Sequence, residues 1–472
     1  MHLARHSITS TSPIQILDAR FDADANIFTA STPTGFAVYR AWPLQLLRKR
    51  EFTDGTLTIV VPLHTSSILF LVGGGPSPLY PPNKVVVWDE ALGREVAELE
   101  FRERVRGVAC RRGWLVVALR RRVVAYEVGE TITRYHEWDT CDNQQGLVAI
   151  ATAAYSTLLA IAGRQLGHVQ LIHLPPCRPP APKSPPSPTI PRGPPPQPKN
   201  HPISVIAAHS STLRTLTVLP SGRLLATTSS RGTLLRVWDS HTGKLVKEFR
   251  RGSDKADIYG VAFRPDEQDV CVWSDKGTVH VFSLSGTSRN RQSSLSPLTP
   301  FLSLPKYFDS EWSYAQYHIP SQTSHLALSA GTSGSKLSDV VEDEKCTVAW
   351  IKVPLPSPTS PSQGRSIPKQ PPQVEYQLVA LTYSGGWYRI ALPSSSQSQT
   401  EEGKSNPISS AASVRSGRPS PLAGIRSSGG SSIAGSSRLD KGKQKEASRE
   451  SKSTHSCILK EFRRYGRWDG WG

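Results

Sequence analysis

The sequence predicts an all-β fold, a seven-bladed β-propeller of four-stranded blades carrying long disordered insertions. Three observations predict it. Short apolar runs of β type recur between turn residues, several close on a Trp-Asp step, and almost no stretch shows a convincing helical period. Repeats of roughly 40 residues ending in Trp-Asp mark WD-type propellers, with four strands to a blade.

The runs are Gly35–Tyr39, Lys84–Trp88, Arg122–Tyr126, His168–Ile172, Leu234–Trp238 and Thr278–Phe282, with Trp-Asp at Trp88-Asp89 and Trp238-Asp239. Each follows a Gly-rich or polar turn, as hairpin-joined strands require. About seven repeats remain once three insertions are set aside. The first, 175–202, holds 14 of the chain's 39 prolines and cannot sustain a sheet ladder. A second Pro-rich loop, 354–372, lies within the last blade. The third, 394–455, is Ser-rich and basic and reads as disordered. Cys457–Phe462 is strand-like again, so the two chain ends are expected to share a blade and close the ring. Residues 10–472 are thus assigned to a single propeller.

The formal net charge is +18. Pro175–Pro202 carries four basic and no acidic residues, and Ser394–His455 ten basic and five acidic, so half the excess sits in insertions. The remainder is a modest basic bias over the folded part. It favours an anionic partner surface, lipid headgroups or nucleic acid, without choosing between them. Six scattered cysteines without a C-x-x-C pair exclude zinc-site or disulfide-framework spacing and fit a cytosolic protein. Met1–Ser10 lacks the apolar core of a signal peptide. Apolar runs such as Ser67–Val72 fall far short of the roughly 20 residues that span a bilayer, so membrane contact is expected to be peripheral. Gly73–Gly75 lacks the Gly-Lys-Ser/Thr end of a phosphate-binding loop, and no Ser, His and Asp set forms a triad. Neither enzyme activity nor a metal or cofactor is expected.

Phe249-Arg250-Arg251-Gly252 closes one repeat and opens the next. Successive side chains on a strand point to opposite faces, which sends one arginine towards each of two neighbouring pockets. Arginine's planar fork suits phosphate groups. The flanking repeats each carry a Ser-x-x-Gly-Thr step before a strand with a basic residue. One runs through Thr233 to Arg236, the other from Ser274 through Thr278 to His280. Hydroxyls, a cation and a shared arginine pair match a phosphorylated sugar headgroup. Glu461-Phe-Arg-Arg-Tyr465 repeats the arginine string without the following Gly or the hydroxyls, and is set aside.

On these residues the chain resembles the PROPPINs, seven-bladed propellers that bind phosphoinositides. The resemblance also rests on Leu304-Pro-Lys-Tyr-Phe308, Trp312-Ser313, Val72–Gly75, Pro81–Asp89 and Gly163–Gln170. It covers most of the chain outside the insertions and looks closest to the branch of smaller members. It implies binding of phosphatidylinositol 3-phosphate and phosphatidylinositol 3,5-bisphosphate, and a role in autophagy at phagophore, endosome or vacuole membranes. A first pocket would use His209, Ser229, Thr233, Arg236 and Arg250, with Ser230 an equally plausible hydroxyl. A second would use Arg251, Ser274, Lys276, Thr278 and His280. If the histidines are ligands, mild acidification should strengthen binding as imidazole gains charge near pH 6.5. Their alternative is the structural histidine of WD repeats. Segment 285–309 would be a membrane-facing loop of the sixth blade, inserting through Arg289, Arg291, Leu295, Leu298, Phe301 and Leu302. The resemblance further implies an autophagy lipid-transfer protein as partner, contacting Asp22 and Asp24. A monomer is expected, with no nucleic acid bound. The alternative class is a generic WD-repeat scaffold whose basic loops take acidic partners or nucleic acid.

Overall fold

The computed structural model describes residues 16–53, 55–177, 179, 204–286, 289–292, 310–320, 344–355, 374–393 and 455–466. Pro393 apart, these belong to one compact unit comprising residues 1–392 and 455–472. Its apolar runs of five or six residues are too short for helices and are bracketed by turns, so each folds into a hairpin. The result is seven sheets and, among the described residues, no helix.

Blade 1 holds β1 (Asp18–Phe21), β2 (Ile27–Thr32), β3 (Gly35–Arg40) and β4 (Gln45–Glu51). Blade 2 holds β5 (Leu57–Pro62), β6 (Ile68–Gly73), β7 (Lys84–Asp89) and β8 (Arg94–Glu100). Blade 3 holds β9 (Gly107–Arg111), β10 (Trp114–Ala118), β11 (Arg122–Val128) and β12 (Ile132–Asp139). Blade 4 holds β13 (Val148–Ile150), β14 (Leu158–Ala162), β15 (His168–His173) and β16 (Val205–Ala207). Blade 5 holds β17 (Leu213–Val218), β18 (Leu224–Ser229), β19 (Leu234–Asp239) and β20 (Leu245–Arg250). Blade 6 holds β21 (Ile258–Phe263), β22 (Asp269–Ser274) and β23 (Thr278–Ser283). The chain then lends β24 (Glu311–Trp312) to blade 5 before completing blade 6 with β25 (Ala315–His318). Blade 7 holds β26 (Cys346–Pro354), β27 (Val374–Thr382), β28 (Gly386–Ala391) and, after β29 (His455–Ser456), β30 (Ile458–Arg464).

Burial follows position in the blade. Second strands such as β10 and β14 are buried along their whole length, whereas fourth strands such as β8 and β30 are largely exposed. Apolar clusters fill the spaces between neighbouring sheets, each shared by consecutive blades. The Trp-Asp steps end third strands. The Asp239 carboxylate there accepts the N–H groups of His241 and Thr242 at 2.9 and 2.8 Å, fixing the turn into the outer strand.

Ring closure differs from expectation. Among the described residues β1 sits with β2–β4, while β26, β27, β28 and β30 form blade 7, so no sheet of described residues draws strands from both ends of the chain. The seam is closed by one backbone bond, from Ile16 N–H to Tyr383 O at 3.0 Å, and by contacts that involve side chains. The Trp387 indole donates to Ala41 O at 3.2 Å, Gly466 N–H donates to the Tyr39 hydroxyl at 2.9 Å, and Tyr465 stands edge-on to Phe28. Two further strands were not legible in sequence. β24 pairs in parallel with β20, and β29 with β25, each giving its sheet a fifth member. The insertion at 354–372 opens between β26 and β27. It and those at 175–202 and 394–455 lie almost wholly outside the described residues.

Candidate functional site

The Phe-Arg-Arg-Gly stretch falls where blade 5 ends and blade 6 begins. Phe249 is fully buried and stacks on Phe282 of blade 6 at 4.8 Å between ring centroids, anchoring the strand. Arg250 is the last residue of β20, opposite Leu234 on one side and Trp312 of β24 on the other. Arg251 follows outside the strand, its N–H donating to Thr233 O at 3.0 Å. Its side chain is only 8% exposed, and its Nε donates to Gly232 O at 2.8 Å. A second guanidinium nitrogen donates to Asp254 O. Burial lowers the Arg251 pKa, partly offset by Asp275 and Asp254. The arginine thus ties together the two backbone carbonyls that flank the seam.

Both Ser-x-x-Gly-Thr steps form the turn between second and third strands. Gly232 needs its glycine, since at φ 64° a Cβ would come within 1.8 Å of Ala256 O in the next blade. Ser229 is buried. Ser230, its sequence alternative, is exposed and lines a 340 Å³ cavity with Arg214 and Asp142 towards blade 4. On blade 6, Ser274 is fully buried and its hydroxyl accepts the Lys276 N–H at 3.4 Å. Lys276 is exposed and lies 3.5 Å from Asp275. Thr278 is half-buried at the start of β23.

Of the first set, Arg236 and His209 are already engaged. Arg236 donates to Glu248 at 2.8 Å and to Ala208 O at 2.7 Å. His209 Nε2 is 3.0 Å from Thr227 Oγ1, which also accepts the Trp238 indole N–H at 3.0 Å. That bonding is the structural arrangement of a WD repeat. Burial first, and the Arg236 charge second, lower the His209 pKa to about 4. His280 shares the shift to about 4, from burial and then Arg251. In the free protein neither imidazole therefore gains its charge near pH 6.5. A buried imidazole beside a guanidinium resists its proton.

β25 adds members that the sequence reading missed. Ser313, buried just before this strand, lies 3.2 Å from His280 Nδ1, and His318 Nδ1 is 3.4 Å from Thr278 Oγ1. They follow a segment of some thirty residues after β23, so no local motif joins them to the second set. Arg289 and Arg291 lie at the neck of segment 285–309. Arg289 stacks on Tyr314 at 4.5 Å, and Arg291 pairs through its backbone with Trp312. Leu295, Leu298, Phe301 and Leu302 lie outside the described residues. On blade 1, Asp22 is 6% exposed and caps its own turn, accepting the Asn26 and Ile27 N–H groups at 2.8 and 3.0 Å. Burial raises its pKa to about 6. Asp24 is exposed, 3.7 Å from His64 and 4.0 Å from Arg112, so only it offers a carboxylate to a partner.

Among the described residues no helix is long and apolar enough to cross a membrane, and no cluster of His, Cys, Asp and Glu could hold a metal ion. Residues 199–355, which contain both candidate pockets, match the PROPPIN family model. SVP1-like protein 2 of Pichia angusta is 32% identical over 325 residues, 67% of this chain and 84% of that one. Autophagy-related protein 18e of Arabidopsis thaliana is 30% identical over 321 residues, 67% of this chain and 78% of its own. The crystal structure of Kluyveromyces marxianus Hsv2 superposes with a TM-score of 0.53 at 19% identity, covering 80% of this chain and 92% of that one, and supports the fold. Sequence identity sustained over most of a relative's length, on the same ring of seven blades, makes this chain a member of the PROPPIN family of autophagy-related, phosphoinositide-binding propellers.

Proposed function

We propose that the protein is a peripheral membrane adaptor with two adjacent headgroup pockets, one on each side of the Arg250-Arg251 step. It would bind phosphatidylinositol 3-phosphate and phosphatidylinositol 3,5-bisphosphate and recruit proteins in autophagy, without catalysing a reaction. The observation that carries this reading is the placement of two consecutive guanidinium groups at one blade seam, between two turns of like sequence. Ser229, Thr233 and Arg250 supply the first pocket. Ser274, Lys276, Thr278 and His280 join Arg251 in the second, and Ser313 and His318 extend it. His209 and Arg236 shape the first pocket through their bonds to Thr227, Glu248 and Ala208. Segment 285–309 would enter the bilayer interface. Two modest headgroup contacts and an inserted loop then add through effective concentration.

The membranes would be those of the phagophore, endosome and vacuole. Asp24 is the proposed contact for an autophagy lipid-transfer protein, with the adaptor itself a monomer in solution. Liposome flotation tests the reading. Wild-type protein should float with vesicles containing phosphatidylinositol 3-phosphate and stay behind without it. Arg250→Ala/Arg251→Ala protein that floats as well as wild type would overturn the mechanism. It would leave the basic surface to nucleic acid or acidic proteins.

A further inference from the structure

The first strands of the blades neighbour one another in turn around the ring, with β26 returning to β1. Where the first strands of blades 1, 5, 6 and 7 begin, they and the residues just ahead of β13 line a cavity of 490 Å³. That is the size of a small-molecule site, about 300–1,000 Å³. Arg20, Arg214 and Lys345 line it, against the single carboxylate of Asp18. Both Asp18 oxygens are already engaged. Oδ2 accepts the Arg20 Nε–H at 2.6 Å, and Oδ1 accepts the Tyr383 hydroxyl at 3.4 Å. Arg214 lies 3.5 Å from the exposed Asp257, longer than a normal N–H···O bond.

Two lining residues owe their place to breaks in the sheet ladders. The register of β17 on β18 shifts between Leu213 and Thr215, and that of β21 on β22 between Ile258 and Gly260. Arg214 and Tyr259 are the extra residues, at matching places in consecutive blades, and both line the cavity. A bulge leaves its residue out of the ladder and re-aims the side chain, and bulges are over-represented beside functional sites. Blade 2 bulges at the same place, but Thr58 there donates its hydroxyl to Gly73 O of its own sheet at 3.3 Å. In blade 5 the re-aimed side chain is a guanidinium.

We propose that this cavity binds a small soluble phosphate dianion, inorganic phosphate or a phosphomonoester, through Arg214, Arg20 and Lys345. Three cations against one carboxylate leave an excess of two positive charges along its walls. Charges drawn away from bulk water are stable when opposite charge and hydrogen bonds meet them. A phosphomonoester carries about −1.5 to −2 at neutral pH and three strong acceptor oxygens, which matches that excess. The Arg214 fork suits two of those oxygens at once. Neither Arg250 nor Arg251 lines the cavity, so the proposal does not depend on the headgroup reading above.

The test is calorimetric titration of the full chain with two probes, inorganic phosphate and glycerol 3-phosphate, whose relative affinities tell the bare anion from an ester. Arg250→Ala/Arg251→Ala protein serves as the starting point, so that the blade 5–6 seam takes no part. It should still bind at least one probe. Adding Arg214→Gln or Lys345→Gln is expected to weaken that binding about tenfold, the loss of one charge-assisted contact. Adding Asp257→Asn frees Arg214 from its carboxylate and should tighten binding about threefold, a gain that a damaged fold cannot imitate. Should the double-alanine protein fail to fold, the same three changes made singly in the wild-type chain keep the same order. Affinities that none of the three changes shifts overturn the proposal, as does weaker binding in Asp257→Asn. Flotation of Arg214→Gln protein with vesicles containing phosphatidylinositol 3-phosphate should match wild type. A fall there would assign Arg214 to membrane binding and remove the separate site.

Discussion

The His280 imidazole and the Arg251 guanidinium interact across the seam between blades 5 and 6, where burial first and the arginine's charge second lower the histidine pKa to about 4. His209 reaches about the same value through burial and Arg236. In the unfolded chain both would take up protons near pH 6.5. Between those values the unfolded chain binds more protons than the folded one, so stability falls as pH falls. The loss begins below about pH 6.5 and is complete near pH 4, at up to about 3 kcal/mol for a well-buried imidazole such as His209. Denaturant midpoints measured from about pH 7 to about pH 4.5 should decline, and His280→Gln should flatten the curve. A curve that His280→Gln leaves unchanged would remove this histidine from the account.

The two arginines should separate in their effects. Arg251 serves two backbone carbonyls as well as the site, so Arg251→Ala is expected to cost about 1–3 kcal/mol of stability along with binding. Arg251→Lys should recover little, because a single ammonium cannot match the planar fork. Arg250→Ala should lose vesicle binding with a clearly smaller change in the unfolding midpoint. Equal midpoint changes in both alanine variants would contradict the division of labour.

His209, Thr227 and Trp238 form one buried hydrogen-bonded set. His209→Ala and Thr227→Val are each expected to destabilise the protein by about 1–3 kcal/mol. The double variant should lose less than the sum, because both changes break the same link. Strict additivity in chemical unfolding would show the two residues to be independent.

The seam between blades 7 and 1 gives a fourth expectation. Trp387 is fully buried and reaches across it, so Trp387→Ala should cost about 3–5 kcal/mol. Tyr465→Phe removes only the 2.7 Å bond to Thr382 O and should cost about 1 kcal/mol. Thermal unfolding of the two variants checks the order. A Trp387→Ala protein as stable as wild type would mean that the ring does not depend on this seam.

What sequence could reveal was what is local. Leu234–Asp239 is a strand with its turn attached, and each Ser-x-x-Gly-Thr step is a turn between neighbours, so the blades and the turns that carry the candidate hydroxyls were readable. The engagement of His209 was not, because its partners Thr227 and Trp238 become partners only when three strands lie side by side. Ser313 and His318 escaped for a related reason. They come beside His280 and Thr278 after a long segment, and β24 and β29 are too short to carry any period. Closure was misjudged because Ile458–Arg464 shows the same pattern whichever sheet it joins. Its place in blade 7 depends on β28 offering an open edge.

The fifth strands have one more consequence. A sheet's outer rim, left open, offers unpaired N–H and C=O groups to any passing strand and is where proteins zip onto one another. In blades 5 and 6, β24 and β29 cover part of those rims, at Phe249–Arg250 of β20 and Ala315–Gln316 of β25. These are the blades proposed to face a bilayer, where copies would crowd together in two dimensions. Over those residues the rims are already paired, so crowded copies could zip together through these two sheets only along the lengths left uncovered.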